Sequence, residues 1–429
     1  MKDGMAQMQF IQEYSTKQLA CLFPKMKGKP ENRNIKMRTD LKVGIVGSGF
    51  AANFHYNALQ YVNSANINHV GIYSLDKCSC EKFASEKHII AYDDLHDLIR
   101  DVDVVHVCVP PSSHEEIVVI ALKENKNVIV EKPFTGYFGE GLDDFNGDTF
   151  SKEYGLKMAM ESVERMLAAE KQSQGRIFYA ENWIYAPAIR KEKEIIEKSS
   201  AQILWMYGEQ SHSGSHSLSY GDWKQSGGGS LIGKGCHPLT AALYLKQVEG
   251  LVRRGKEIRP VSVSARVHAL TRLDTYENRG YIKDHYIDIE DLAAVHVVFD
   301  DGTVADIFAN ELSLGGTNNW LRVNANNHRT LCNMSHNDSM EVFTPDKRCF
   351  ESVYLVEKVE TQEGWNKISP DEGWFLGYQH ELNAFYSAIV NNSRIESNSL
   401  LAADTIAVVY SAYVSSENKG LEVVVPLVL

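Results

Sequence analysis

The 429-residue chain has no apolar run approaching the ~18 residues that cross a bilayer. Its first 40 residues also lack the apolar core of a signal peptide, because Leu19-Ala20-Cys21-Leu22-Phe23 is too short. A cytoplasmic protein with no membrane partner is the expectation. Cysteine is sparse, odd in number and scattered: Cys21, Cys78, Cys80, Cys108, Cys236, Cys332 and Cys349. Such a set does not build a disulfide framework, and a reduced compartment suits it. The Cys78-x-Cys80 pair has no second pair to complete a metal site, so no metal is expected. No Lys/Arg-rich run interleaves with aromatics, and the formal net charge is -12, which excludes a broad nucleic-acid surface. A local basic pocket for a small anion remains compatible with that balance. Internal repeats and low-complexity tracts are missing too.

What is present is the composition of an ordinary globular protein, 44% hydrophobic and 23% charged, at a length that suits two domains. Residues 1–40 read as an extension. Met8 to Phe23 suits a short amphipathic helix, and Lys25 to Arg38 an extended polar linker, either a tail or an arm against a partner subunit. From Leu41 strands and helices alternate. Leu41–Val46, Asn68–Ser74, Asp103–Val109 and Asn127–Val130 are apolar strand candidates, and helix-like segments separate them. This succession implies an α/β domain, a doubly wound parallel sheet over 41–182. The second half, 183–429, turns to period-two alternation at Val261–Val267. Asp300-Asp301-Gly302 between two strand-like runs signals a hairpin, and Leu321–Val323 and Ser352–Val359 are further strand candidates. An α+β domain with a large, mainly antiparallel, open-faced sheet follows, closed by helices over Tyr378–Val390 and Ala402–Ser416.

Gly44-Ile45-Val46-Gly47-Ser48-Gly49-Phe50-Ala51-Ala52 ends the first strand and opens a helix. Gly47 permits the tight turn. Gly49 lets backbone approach a pyrophosphate, and Ala52 lets the helix pack on the strand. Val109-Pro110-Pro111-Ser112-Ser113-His114 ends a later strand, and Glu131-Lys132-Pro133 ends the next. Ligands of open parallel sheets lie at the carboxyl ends of the strands, so Lys132 is aimed at the crevice. A second centre is Gly227-Gly228-Gly229-Ser230-Leu231-Ile232-Gly233-Lys234-Gly235-Cys236-His237-Pro238, where Pro238 suits a first helical turn and presents His237 at the helix start.

The ordered set, with Gly377-Tyr-Gln-His-Glu-Leu-Asn-Ala-Phe and Ser415 near the end, resembles the Gfo/Idh/MocA oxidoreductase family from Leu41 onward. The resemblance implies a Rossmann domain plus an open-sheet domain, NAD or NADP as cofactor, a sugar or cyclitol substrate and a homo-oligomer, dimer or tetramer. It implies Lys132 and His237 as catalytic residues, with the Lys132 amine lowered in pKa by burial and by the cationic cofactor. The cofactor side would comprise Gly47, Ser48, Gly49, Phe50, Ala51, Ser74, Val109, Pro110, His114 and Glu131, with His55 packed behind, His114 being either cofactor-side or structural and Glu131 ordering either the strand end or the cofactor site. The substrate side would comprise Lys132, Asn182, Tyr185, Trp223, Lys234 and His237, Trp223 being either a sugar-stacking or a core residue.

Three features depart from the family pattern. Gly233 stands where relatives carry Asp four residues before the histidine. Ser74 stands where NAD-preferring relatives carry Asp. The glycine-rich, acidic stretch Phe134–Tyr154 reads as an insertion that lines or covers the site mouth. A dehydrogenase or reductase acting on a secondary alcohol is the leading expectation. An NAD-dependent glycosidase working through a transient keto-sugar and a non-catalytic dinucleotide-binding regulator stand beside it.

Overall fold

The computed structural model describes residues 38–215, 217–335, 340–350, 353–358 and 362–428. The helix expected over 8–23 and the linker expected before Arg38 lie outside them. The described residues from Thr39 onward form one compact unit.

Six strands, β1 (Thr39–Val46), β2 (Ala65–Tyr73), β3 (Ile90–Ala91), β4 (Val104–Val107), β5 (Asn127–Glu131) and β6 (Ile177–Ala180), pair in the order β3-β2-β1-β4-β5-β6. All of these pairs are parallel. The reason lies in the residues. Val104–Val107 is buried at every position, as expected when helices cover both faces of a sheet. The order reverses between β1 and β4, which opens a crevice beyond their carboxyl ends. Gly47 and Val109 both stand at that point.

The second sheet joins β7 (Ile203–Ser211), β8 (Pro260–His268), β9 (Leu292–Phe299), β10 (Val304–Asn310), β11 (Asn318–Ala325), β12 (Arg329–Asn333) and β15 (Val423–Val424) in the order β12-β11-β7-β10-β9-β8-β15. Only β7 and β10 pair in parallel; the other pairs are antiparallel. Asp300–Gly302 makes the expected β9–β10 hairpin, with Phe299 N–H donating to Thr303 O at 2.9 Å. β9 alternates buried and half-buried residues along its length, so one face meets the core. The helices Cys236–Arg254 and Ser399–Glu417 pack on that face. On the other face Trp205, Phe308 and Leu331 are exposed. Trp205 stacks on Tyr207 at 4.4 Å between centroids, and Arg322 lies over Tyr207 and Trp320.

Two expectations change. Ser399–Glu417 is long and apolar enough to cross a membrane by composition, with a mean hydropathy of 1.2, but 89% of that window is buried. Its apolarity serves a core helix packed against β8 and the helices Lys152–Gln172 and Cys236–Arg254. The strand expected over Ser352–Val359 does not form in its described part, 353–358. There Leu355 and Val356 turn into the interior. A small separate ladder forms instead between β13 (Met340–Thr344) and β14 (Gly364–Ile368).

Candidate functional site

The turn after β1 is built by backbone geometry. Gly47 has φ +108°, and a Cβ there would lie 2.2 Å from Cys108 O at the end of β4. Only glycine lets the two strand ends approach so closely. Gly49 precedes the helix Phe50–Leu59 and has no neighbour within 4 Å of a would-be Cβ. That helix has no side-chain cap and no acidic residue in its first turn, so its first N–H groups remain available to an anion. Ala52 is fully buried against the sheet. These residues fit the pyrophosphate of a dinucleotide.

Ser48 Oγ meets Ser74 Oγ at 3.1 Å and Ser79 Oγ at 2.8 Å. No carboxylate stands at residue 74. The Asp76 side chain accepts from Ser79 N–H as a helix cap, and Lys77 pairs with Asp93 at 2.6 Å. Phe50 is exposed beside Phe54, and Ala51 is half-buried.

At the C-terminal end of β5, the Lys132–Pro133 peptide is cis. Half-buried Lys132 donates from Nζ to Gly233 O at 3.0 Å, which joins the strand end to the glycine-rich turn. Burial disfavours the charged amine. The fields of Tyr220 and Cys236, once those groups ionise at high pH, and of Glu131 and Glu181 outweigh it and raise the pKa above the usual lysine value. The expectation of a lowered amine is thereby reversed. Burial does act, but acidic neighbours stabilise the ammonium more strongly.

His237 is buried at the start of Cys236–Arg254 and stacks on Trp183 with a centroid separation of 5.7 Å. Its Nδ1 lies 2.6 Å from Glu181 Oε1. A carboxylate only accepts, so Nδ1 carries the proton and Nε2 holds a lone pair. Burial lowers the imidazole pKa despite the opposing pull of Glu181, so the ring is neutral at pH 7. Cys236 Sγ also lies near, the three ligand-type atoms falling within 4.8 Å of one another. Burial pushes that thiol up to about 12, so it stays protonated.

The turn carrying Lys234 and His237 is held from below. Glu290 accepts from Gly229 N–H, Leu231 N–H and Tyr413 O–H, each at 2.9 Å. A Cβ on Gly229 would lie 1.9 Å from Glu290 O. Leu231–Gly235 forms one widened π-type turn before the α-helix, a feature common at functional sites. At Gly233 a Cβ would touch only the Tyr220 ring, at 3.7 Å, so the missing family carboxylate leaves space.

Several expected site residues are placed elsewhere. Trp223 is buried under Phe150 and Tyr413, and its indole N–H donates to Tyr137 O at 3.0 Å, so it is a core residue. Tyr185 is buried against Phe385, where its hydroxyl accepts from Ser397 N–H. Asn182 spends its amide on Leu376 O at 2.8 Å. Buried His114 bridges Val109 O and Pro133 O, at 3.0 and 2.9 Å, and so braces the cofactor-side loops from behind. Buried Glu131 accepts from Lys132 N–H and joins His55, which meets His106; His106 in turn meets Tyr386. That chain orders the strand end. The 134–154 insertion is also a brace. Tyr137 packs among Phe145, Phe150 and Tyr154, while Tyr410 O–H accepts from Tyr137 N–H and donates to Gly227 O. Its aromatic side chains are spent on packing, which fixes the loop leading to His237.

Glu181 is the residue that sequence reasoning missed in its role. It caps the short turn Asn182–Tyr185 and reaches His237, 56 residues away in sequence. Tyr220, over whose ring Lys132 Nζ lies at 6.0 Å, was missed as well.

Comparison with known proteins agrees with this architecture. Residues 41–142 match the GFO_IDH_MocA family model, described as an oxidoreductase family with an NAD-binding Rossmann fold. A myo-inositol 2-dehydrogenase of Thermotoga maritima is 26% identical over 164 residues, which span 37% of this chain and 42% of that protein. The fold is similar to GenD2 from gentamicin A biosynthesis in complex with NAD, with TM-score 0.71, 18% identity and coverage of 92% of this chain and 99% of that one. It is also similar to scyllo-inositol dehydrogenase from Lactobacillus casei with bound NAD(H) and scyllo-inositol, with TM-score 0.65, 16% identity and coverage of 90% and 99%. The family model thus matches the dinucleotide-binding region of the chain, and the solved structures share the doubly wound sheet joined to an open second sheet.

Proposed function

We propose that this protein is an NAD(P)-dependent oxidoreductase that moves hydride between the nicotinamide and a secondary alcohol of a sugar, glycoside or cyclitol. The observation that carries the reading is the Glu181–His237 pair with Lys132 near enough for its charge to lower the imidazole pKa. Lys132 stands at the carboxyl end of β5, and the Glu181–His237 pair has its imidazole Nε2 uncommitted. NAD(P)⁺, when bound, supplies the hydride acceptor. The neutral His237 Nε2 takes the hydroxyl proton, while Glu181 stabilises the imidazolium that forms. Lys132, as an ammonium, donates a hydrogen bond to the same substrate oxygen and stabilises negative charge developing there. It therefore orients and polarises; the base is the histidine. The inositol substrates named for relatives support a cyclic polyol as the substrate class.

The test is an assay of the purified chain with NAD⁺ and NADP⁺ in parallel against cyclitols, free sugars and aryl glycosides. Net reduced cofactor with a keto product is expected. Ser74 neither binds a ribose hydroxyl strongly nor repels a phosphate, so the two cofactors are expected to differ by less than about 10-fold in kcat/KM. Release of the aglycone without net reduced cofactor would replace this reading by the glycosidase. Dinucleotide binding without turnover of any substrate would favour the regulator.

The exposed aromatic face of the second sheet supports a homo-oligomer in which a second copy covers Trp205 and Phe308. Sedimentation is expected to give a multiple of 48.2 kDa, and Trp205→Glu to shift it to the monomer. A monomeric wild-type protein would end that proposal.

A further inference from the structure

A row of ammonium groups leads away from the proposed reaction centre. Lys132 Nζ is bonded to Gly233 O. The next residue, Lys234, is buried and reaches Glu311 and Ser215 Oγ, the latter at 3.2 Å. Beside Ser215, Gly214 O accepts from Lys358 Nζ at 2.9 Å. The row thus brings together Lys132, Lys234 and Lys358 from three separate parts of the chain. Each neighbouring pair is close enough to repel electrostatically: Lys132 disfavours the charge on Lys234, and Lys234 disfavours that on Lys358.

Acidic groups meet the first two lysines more fully than the third: Glu131 and Glu181 favour the charge on Lys132. Glu311 is already engaged by Lys234 and Ser215 and stands 3.7 Å from His212. Glu357 lies 4.0 Å from Lys358 Nζ. Lys358 is 7% exposed, and Gly214 O is its one hydrogen-bond acceptor among the described residues, leaving two of its three protons without one. A buried ammonium so poorly satisfied is costly unless a ligand completes it. Burial in fact pushes its pKa down to about 8, with Glu357 and Glu311 raising it and Lys234 and Lys283 lowering it. Gly233, bonded to Lys132 and preceding Lys234, leaves room where a family carboxylate would repel an anion.

We propose that Lys358 and Lys234 form a subsite for an anionic group, a carboxylate or a phosphate monoester, carried by the substrate in addition to the alcohol that reacts. The proposal rests on the oxidoreductase reading and narrows its substrate to acidic or phosphorylated sugars. Lys358 acts as a specificity residue; it does not touch the reacting carbon.

The experiment is isothermal titration of the full chain, loaded with NADH, with D-glucose, D-glucuronate and D-glucose 6-phosphate. At least one of the two anionic sugars is expected to bind about 10-fold or more tightly than glucose, as a charge-assisted hydrogen bond supplies. Which of them gains separates carboxylate from phosphate. Lys358→Gln is expected to erase that preference while glucose and NADH affinities stay within about 2-fold, and Lys358→Arg to retain most of it. The melting temperature of each variant controls for folding. The preference should also fade as pH rises from 7 to 9, because the unliganded ammonium loses its proton near 8. Equal binding of the three sugars, or an equal loss for glucose and the anionic sugars in Lys358→Gln, would overturn the subsite. Titration reads binding without turnover, so the two readings fail separately. An anionic preference with no oxidation of any substrate would sink the oxidoreductase and leave the subsite standing. Oxidation with no anionic preference would do the reverse.

Discussion

His237→Asn is expected to lower kcat/KM for alcohol oxidation by about 10²–10⁴-fold, the range a positioned general base contributes. The cause is the loss of the Nε2 lone pair that Glu181 keeps free by holding the proton on Nδ1 at 2.6 Å. The wild-type pH profile carries the signature. Burial lowers the imidazole pKa below its ordinary 6.5, so the base is deprotonated and active at pH 7. Activity should fall only as pH drops through that lowered value, and His237→Asn should lose this acidic limb.

Glu181→Gln separates positioning from chemistry in the same assay. A glutamine amide can donate to Nδ1 and drive the proton to Nε2, the wrong tautomer, so kcat should fall by roughly 10²-fold or more. The carboxylate also raises the imidazole pKa, so the remaining activity should show its acidic limb at still lower pH. Lys132→Met should lower kcat comparably and move the limb to higher pH, because the Lys132 ammonium is one of the groups that lower the imidazole pKa. A His237→Asn protein with wild-type kcat/KM would remove the histidine from the mechanism. An unmoved limb in Glu181→Gln would reduce that residue to packing.

Gly47→Ala should cost the protein about 3 kcal/mol and its dinucleotide together. The new Cβ would lie 2.2 Å from Cys108 O, a backbone atom that cannot swing aside, at a φ of +108° that alanine rarely adopts. Gly49→Ala is the instructive partner. Its φ is -88°, an ordinary value, and the space around its would-be Cβ is open. It should therefore fold with wild-type stability and still lose dinucleotide affinity, because the methyl group occupies the approach of the pyrophosphate. Thermal melts and NADH fluorescence titrations read the two effects independently. If Gly49→Ala binds NADH as well as wild type, the pyrophosphate does not sit on this turn.

Both pairs of variants show where the sequence was legible. Gly47, Gly49 and Ala52 could be read because a turn, a close approach and a helix packing on its strand are local events within nine residues. Lys132 and His237 could be read because each stands at the end of a regular element whose pattern is itself local. Glu181 was harder. Its carboxylate acquires meaning only when the end of β6 meets the helix that begins 55 residues later, at Cys236. Asn182 and Tyr185 misled, and Trp223 stayed open between sugar-stacking and core, for a related reason. Amides and aromatics that suit a sugar also suit a seam between two sheets, and here Leu376 O, Phe385 and Tyr137 claim them. The insertion misled because its glycines and acids suggest a loop, whereas Tyr137, Phe145 and Phe150 pack among themselves.

By itself, then, the sequence determined the alternation that makes a doubly wound sheet, the glycine turn after its first strand and the placement of Lys132 at a strand end and His237 at a helix start. Apolar periodicity and backbone sterics act over a few residues and need no distant partner. Only the tertiary structure decided which charges meet. It paired Glu181 with His237, stabilised Lys132 as an ammonium and brought Lys358 alongside Lys234. Protonation states and electrostatic preference depend on burial and on neighbours across the fold, and neither is written at any single position of the chain.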